Sequence, residues 1–370
     1  MKKITLSDAE DSYNAGDNET ALKGFRKLAE QGDMDAQILL GWMYKRGEGV
    51  TQDFKEAFKW YSLAAEQGDA AAMAVVSFFY EATARFNWNI EQINSMSIEE
   101  RKAIGLKWRR LAAEKGDAIS QCSFGWNYAN GEGVAQDDKE AAKWYRLSAE
   151  QGDEDALAIL GEVYEEGRGV IQNHKEAAKW YRLSAEQGDR NAQYRLGEMY
   201  EYGIGVTRNY REALKWYSLS AEPGNDADIN QGNVDAQNNL GVIYEKGRGV
   251  IQNYKEAVRW YRLAANKGNA DAQYNLGVMY EKGRGVTQDY KKAVKCYRAA
   301  AMRGLHEGHL GHPDAQFNLY LCYRDGLGVE KDLEKANYWH NKATDRDNVA
   351  AFKYFEDQKN VFNFHYWKIQ

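Results

Sequence analysis

The chain is 370 residues long, more than one hydrophobic core usually serves, so it holds either several domains or a repeat array that needs no single large core. Its formal net charge of -6, with both signs mixed along the chain, carries no nucleic-acid footprint, and the two prolines, Pro223 and Pro313, with few β-branched runs, favour helix over strand. The start, MKKITLSDAEDSY, has two lysines but no apolar stretch behind them, which points to a cytoplasmic protein without membrane association; Cys122, Cys296 and Cys322 have no regular spacing and read as reduced residues of a core or groove.

Residues 1–33 read as an N-terminal cap, a degenerate unit in which Ala21, Phe25, Leu28 and Ala29 form one helical face and Gly32 and Asp33 close it. From 34 to 344 a repeat takes over. First helices, here called A, begin near Ala36, Ala72, Ser120, Ala156, Ala192, Ala236, Ala272 and Ala315, mostly 36 residues apart, and each carries a tyrosine eight places on, from Tyr44 to Tyr323. Gly47, Gly131, Gly167, Gly203, Gly247, Gly283 and Gly326 stand where helix A should stop, since the residue after a helix favours a left-handed backbone that glycine enters without steric cost. Second helices, B, open at Asp53/Glu56, Asp137/Glu140, Asn173/Glu176, Asn209/Glu212 and Asn253/Glu256, pairs spaced like capping boxes. They end at Gly68, Gly152, Gly188 or Gly268, followed by Asp69, Asp153, Asp189 or Asn269 as the next cap. Gly241 and Gly277 fall on the buried face, where helices approach closely. The expected fold is all-α, a right-handed α/α superhelical solenoid of eight helix pairs between two caps, forming one array over 1–370.

Insertions near 82–102, 223–233 and 304–313 interrupt the array. In the first, Ser97 and Glu100 have capping-box spacing, and Phe86, Trp88, Ile90 and Ile93 either pack on neighbouring repeats or form a lip over one end of the groove. The second holds Asp226, Asp228 and Asn230 but has Gln231 and Gln237 where a calcium loop needs Gly and Glu, so no calcium site is expected. The third places His306, His309 and His312 beside Glu307 and Asp314. Those are zinc or nickel ligand types at a spacing that matches no standard motif, and the reading is a polar linker with no metal. Repeat eight has Tyr320 where other units have Gly, and repeat seven has Cys296 in a Trp position, so the larger Tyr is expected to fill the space left by Cys. Residues 345–370, ending in the aromatic-rich VFNFHYWKIQ, read as a C-terminal cap or, alternatively, as a hook for a partner.

At about 100° per residue, the buried arc of helix A takes places 0, 1, 4, 5 and 8 counted from its first Ala, leaving places 2, 3, 6, 9 and 10 outward. Place 6 carries Trp42, Phe78 and Trp126, then Glu162 and Glu198; place 9 carries Glu165, Glu201, Glu245 and Glu281; place 2 carries Ile38, Tyr194, Tyr274 and Phe317. A solvated face should not collect aromatics, so these residues are either partner anchors or contacts between repeats. The candidate partner-binding set is Ile38, Trp42, Phe78, Trp126, Glu162, Glu165, Tyr194, Glu198, Glu201, Tyr274 and Phe317, suited to an apolar and basic segment of another protein. Trp60, Trp144, Trp180, Trp216, Trp260 and Trp339 belong to helix-B packing instead.

The pattern A-x3-LG-x2-Y-x2-G-x-GV-x2-[DN]-x2-EA-x-[KR]WY-x-L-[AS]A-x2-G, recurring over about residues 36 to 344, resembles the Sel1-like repeat, a relative of the tetratricopeptide repeat. The resemblance implies a superhelix of helix pairs that serves as a protein-binding scaffold, without catalysis or cofactor. Members of that family also act in host interaction or as immunity partners that neutralise toxic effectors. A cysteine-rich subgroup is linked to penicillin binding, but this chain lacks its paired cysteines. The residues themselves agree with a non-enzyme, because no Ser-x-x-Lys, Gly-x-Ser-x-Gly, phosphate loop or His-Glu-x-x-His is present.

Overall fold

A computed structural model describes residues 5–86, 88–222, 232–302 and 311–344, which form nineteen helices and no strand. The helices fall into two compact units, Met1–Ser184 and Ala185–Gln370. Within each unit, consecutive helices pack in series as antiparallel pairs. Among the described residues, no helix is long and apolar enough to cross a membrane.

The first unit opens with α1 (Leu6–Asn14) and α2 (Asn18–Ala29), then pairs α3 (Met34–Arg46) with α4 (Phe54–Glu66) and α5 (Ala70–Phe86) with α7 (Ile98–Glu114). The short α6 (Glu91–Asn94) lies between the last two, and the unit continues with α8 (Ala118–Asn130), α9 (Asp138–Ala149), α10 (Glu154–Glu166) and α11 (His174–Glu186). Phe25, Leu40, Phe58, Tyr61, Phe79, Ile90 and Ile93 share one buried cluster. Each such side chain contributes about 1.5–3 kcal/mol by leaving water. The second unit holds α12 (Arg190–Tyr202), α13 (Tyr210–Ala221), α14 (Val234–Lys246), α15 (Tyr254–Asn266), α16 (Ala270–Lys282), α17 (Tyr290–Met302), α18 (Pro313–Asp325) and α19 (Leu333–Ala343).

Helix boundaries follow the chemistry of the caps. Asp33 Oδ1 accepts from the Ala36 amide at 2.9 Å and Asp153 from Ala156 at 2.9 Å, while Asn269 serves Ala272 at 2.7 Å. Gly47 ends α3 at φ 75°, in the left-handed region expected of it. The helix-B starts differ from a capping box. Asp53 Oδ1 does accept from the Lys55 and Glu56 amides, but Glu56 does not reach back to the Asp53 amide. That amide is already used, donating to the Tyr44 carbonyl at 3.0 Å, and Glu56 instead accepts from Trp60 Nε1. The same amide-to-tyrosine bond closes the A–B linker from Asp137 to Tyr128, Asn209 to Tyr200 and Asn253 to Tyr244. Reciprocal boxes form at Thr5/Asp8 and, as its spacing indicates, at Ser97/Glu100.

In six of the eight repeats the pair is locked by a glycine on helix A facing a tyrosine ring on helix B. A Cβ on Gly161 would stand 2.6 Å from Tyr181, one on Gly197 2.6 Å from Tyr217, and one on Gly277 2.5 Å from Tyr297, so no side chain fits there. Two repeats change both partners together. In repeat two the glycine place is Ser77 and the tyrosine place is Arg109, with Ser77 Oγ donating to the Gly105 carbonyl at 2.8 Å. In repeat eight Tyr320 meets His340 edge-on, with ring centroids 5.0 Å apart. The compensation for Tyr320 is therefore the smaller ring across its own pair, rather than Cys296 in the neighbouring repeat.

Candidate functional site

Trp42, Phe78 and Trp126 occupy the same place on α3, α5 and α8, and are 39%, 46% and 45% exposed. They point outward because the residues one before and one after are committed inward: Gly41 and Met43, Ser77 and Phe79, and Gly125 and Asn127 are all buried. Two of the rings carry a cation on one face, Arg46 5.0 Å from the Trp42 centroid and Lys45 5.9 Å from that of Phe78. Ile38, by contrast, is half-buried against the first unit's core. Glu162 on α10 is exposed and lies 3.5 Å from Arg168.

The repeat-two insertion adds to this face. Ile90 and Ile93 are buried and hold the insertion to the core. Trp88 is stacked on Phe54 at 4.4 Å and on Phe86 at 5.5 Å, and meets Phe78 edge-on at 5.9 Å. Phe86 is left 53% exposed, with Arg85 5.5 Å from its ring centroid. Part of the insertion thus packs and part extends the exposed aromatic surface.

The acidic row at place 9 behaves differently from the expectation of a solvent-facing ladder. Glu165 accepts from Tyr181 OH at 2.7 Å, Glu245 from Tyr261 OH at 2.8 Å and Glu281 from Tyr297 OH at 2.5 Å. Glu201 is a correction to that expectation: it is only 4% exposed, accepts from Tyr217 OH at 2.9 Å, and pairs with Arg248 at 2.8 Å. A carboxylate under the tyrosine of its own pair satisfies a buried hydroxyl, which would otherwise cost about 1–3 kcal/mol. Burial, with the carboxylate nearby, holds the Tyr217 hydroxyl well above its ordinary pKa, so it stays a donor. In repeat two Arg109 stands in for the tyrosine and pairs with Glu81. The signal was present in the sequence, since Glu and Tyr recur 16 residues apart in repeats four to seven.

The remaining candidates in the second unit are also partly committed. Tyr194 donates to Glu198 at 2.9 Å and its ring lies 5.8 Å from Tyr217, while Arg195 pairs with Glu198 at 2.7 Å. Tyr274 stacks on His312 at 4.6 Å and packs on Tyr297 at 5.9 Å. Phe317 meets Tyr320 at 5.5 Å. Place 2 is therefore a seam inside and between pairs, and the open surface lies at place 6 of repeats one to four. Place 7 was counted with neither arc, yet Met43, Val163, Met199, Ile243 and Met279 are buried there.

His312 has a structural role. Its Nδ1 caps α18 by accepting from the Ala315 amide at 3.3 Å, and its Nε2 lies 3.3 Å from Asp271. His306 and His309 lie outside the described residues, as do the 223–231 stretch and the 345–370 tail. Among the described residues, no group of three or more ligand side chains could hold a metal. Burial pushes the Cys122 and Cys322 thiols up to about 12 and Cys296 to about 11, so all three are protonated at neutral pH and poor nucleophiles.

The helix pairs, glycine stops and tyrosine locks agree with a comparison against known families, in which the Sel1 repeat matches residues 35–69, 118–153, 154–189, 190–225, 234–269, 270–305 and 313–348. The chain belongs to the Sel1 repeat family. The gap in that match, 70–117, is repeat two, where α5 and α7 still pair although α6 and its flanks separate them. Among solved structures, a protective antigen of uropathogenic Escherichia coli strains displaying an SLR fold is 33% identical, with 94% of this chain and 81% of that one covered at a TM-score of 0.69. A Sel1 repeat protein of Oxalobacter formigenes is 34% identical over 71% of this chain and all of that one, at a TM-score of 0.54. An exopolysaccharide production negative regulator of Rhizobium leguminosarum bv. viciae is 38% identical over 71 residues, which span 19% of this chain and 27% of that relative. A Sel1 scaffold is suited to protein–protein interaction.

Proposed function

We propose that this protein is a non-catalytic scaffold that holds a segment of a partner protein against the outward helix-A face of its first three repeats. The observation that supports this most directly is the repetition of one exposed large aromatic, Trp42, Phe78 and Trp126, at one structural place in three successive helix A elements. Large rings left substantially in water at a repeated position fit the anchors that dominate binding energy. Glu162 borders the same face within the first unit. Tyr194, Glu198, Glu201, Tyr274 and Phe317 belong to the second unit and take no part in this reading, and Glu165 is committed to the Tyr181 hydroxyl.

The test is capture of partners from the source cell by the parent chain and by the combined Trp42→Ala, Phe78→Ala and Trp126→Ala variant, with circular dichroism confirming equal helix content. The proposal expects a protein retained by the parent and lost from the variant. Equal retention by both would place binding elsewhere.

A further inference from the structure

Three exposed rings of the first unit carry cations, and two of those cations are uncompensated. Arg46, over Trp42, is paired with Glu48 at 2.8 Å. Among the described residues, neither Lys45, over Phe78, nor Arg85, over Phe86, meets a carboxylate within ion-pair distance. The acids of this surface are already engaged: Glu48 with Arg46 and the Tyr13 hydroxyl, Glu81 with Arg109, and Glu91 with Lys55 at 3.3 Å. What remains available is therefore aromatic area with a positive surplus, although the chain as a whole is acidic at -6.

Trp88 ties the rings together. Stacked on Phe54 and Phe86 and edge-on to Phe78, it brings the two exposed rings into one cluster, with Lys45 over one and Arg85 over the other. Cations held on ring faces lose little freedom when a carboxylate joins them, and a ring buried at the same moment strengthens the pairing by excluding water.

We infer that the segment bound at Phe78 and Phe86 is acidic, an aromatic or aliphatic anchor flanked by Asp or Glu that meets Lys45 and Arg85. This rests on the scaffold reading above and replaces the basic segment that a solvent-facing Glu row would have favoured. A nucleic acid would also pair cations with stacking rings, but two uncompensated charges on a net-acidic chain are few for a phosphate backbone.

The test uses the full chain with three fluorescein-labelled probes: a short peptide alternating Glu with Trp and Leu, its counterpart with Lys for every Glu, and an oligothymidine. Fluorescence anisotropy should show the acidic peptide bound about tenfold or more tightly than the basic one, with binding weakened by salt. The combined Lys45→Gln and Arg85→Gln variant should lose about tenfold for the acidic peptide alone. Phe78→Ala should weaken it as well, with unchanged helix content by circular dichroism. If Phe78→Ala weakens binding while the Gln variant does not, or if the basic peptide binds better, the acidic assignment is wrong and the aromatic face stands. If neither variant matters, both readings fail. Preference for the oligothymidine, or no binding of either peptide, would also overturn the inference.

Discussion

At the scale of single residues, the repeat depends on places where one atom more cannot be accommodated. A Cβ on Gly277 would stand 2.5 Å from the Tyr297 ring, which is itself fully buried, so Gly277→Leu is expected to cost about 1–3 kcal/mol in chemical denaturation through overpacking. His312 carries a different kind of specificity. The hydrogen bond from His312 is the main cause holding the Asp271 carboxyl below its usual 3.8. A depressed carboxylate contributes stability above its unfolded pKa and loses it as pH falls through the folded one. His312→Asn keeps a cap of the Asn269 kind but removes this bond. The parent's stability advantage over that variant should be full above pH about 4 and shrink below it, as read from urea denaturation across pH. An advantage that grows toward low pH would contradict the assigned pairing.

At the scale of elements, the repeat-two insertion and the Arg248 clamp are the parts most open to test. Trp88 is half-buried between Phe54 and Phe86, and Trp88→Ala should cost about 2–3 kcal/mol, somewhat under the value for a fully buried ring, and release the cluster's near-ultraviolet dichroism. Arg248 joins two repeats by pairing with Glu201 and lying 5.7 Å from the Tyr210 ring centroid. Its removal leaves a buried carboxylate with Tyr217 OH as donor, at an expected cost of about 1–3 kcal/mol. A double-mutant cycle with Tyr217→Phe should show coupling, because both donate to Glu201. The period, the glycine stops and the helix-A caps were legible because they depend on neighbours in sequence. The place-9 glutamates were legible only in the 16-residue spacing of Glu and Tyr, since a single-helix projection cannot show that the tyrosine of the partner helix returns to that side. The capping boxes at helix B failed for a related reason: the tyrosine carbonyl of helix A had already taken the amide.

At the scale of the whole molecule, stability in such an array is mostly a sum of neighbour terms, so damage should remain local. Hydrogen exchange of Gly277→Leu should quicken in α16 to α18 and leave α8 and α9 unchanged. Uniform acceleration throughout would mean a cooperative single unit instead. On the proposed reading, binding uses the same locality, because exposed residues can be added at one place of a few repeats without disturbing the others. The sequence marked Trp42, Phe78 and Trp126 as anomalous on a helix face, and their exposure agrees; the cations beside Phe78 and Phe86 were not legible, since Arg85 lies in the insertion outside the repeat and Lys45 reaches its ring from another helix. The most direct measurement is the affinity of a partner captured from the source cell for Phe78→Ala against Leu263→Ala, two exposed apolar side chains of similar exposure, 46% and 39%, on different helix types. The account predicts that Phe78→Ala weakens binding by about 2 kcal/mol, roughly 30-fold, while Leu263→Ala leaves it unchanged; the reverse, or equal small effects, would contradict it.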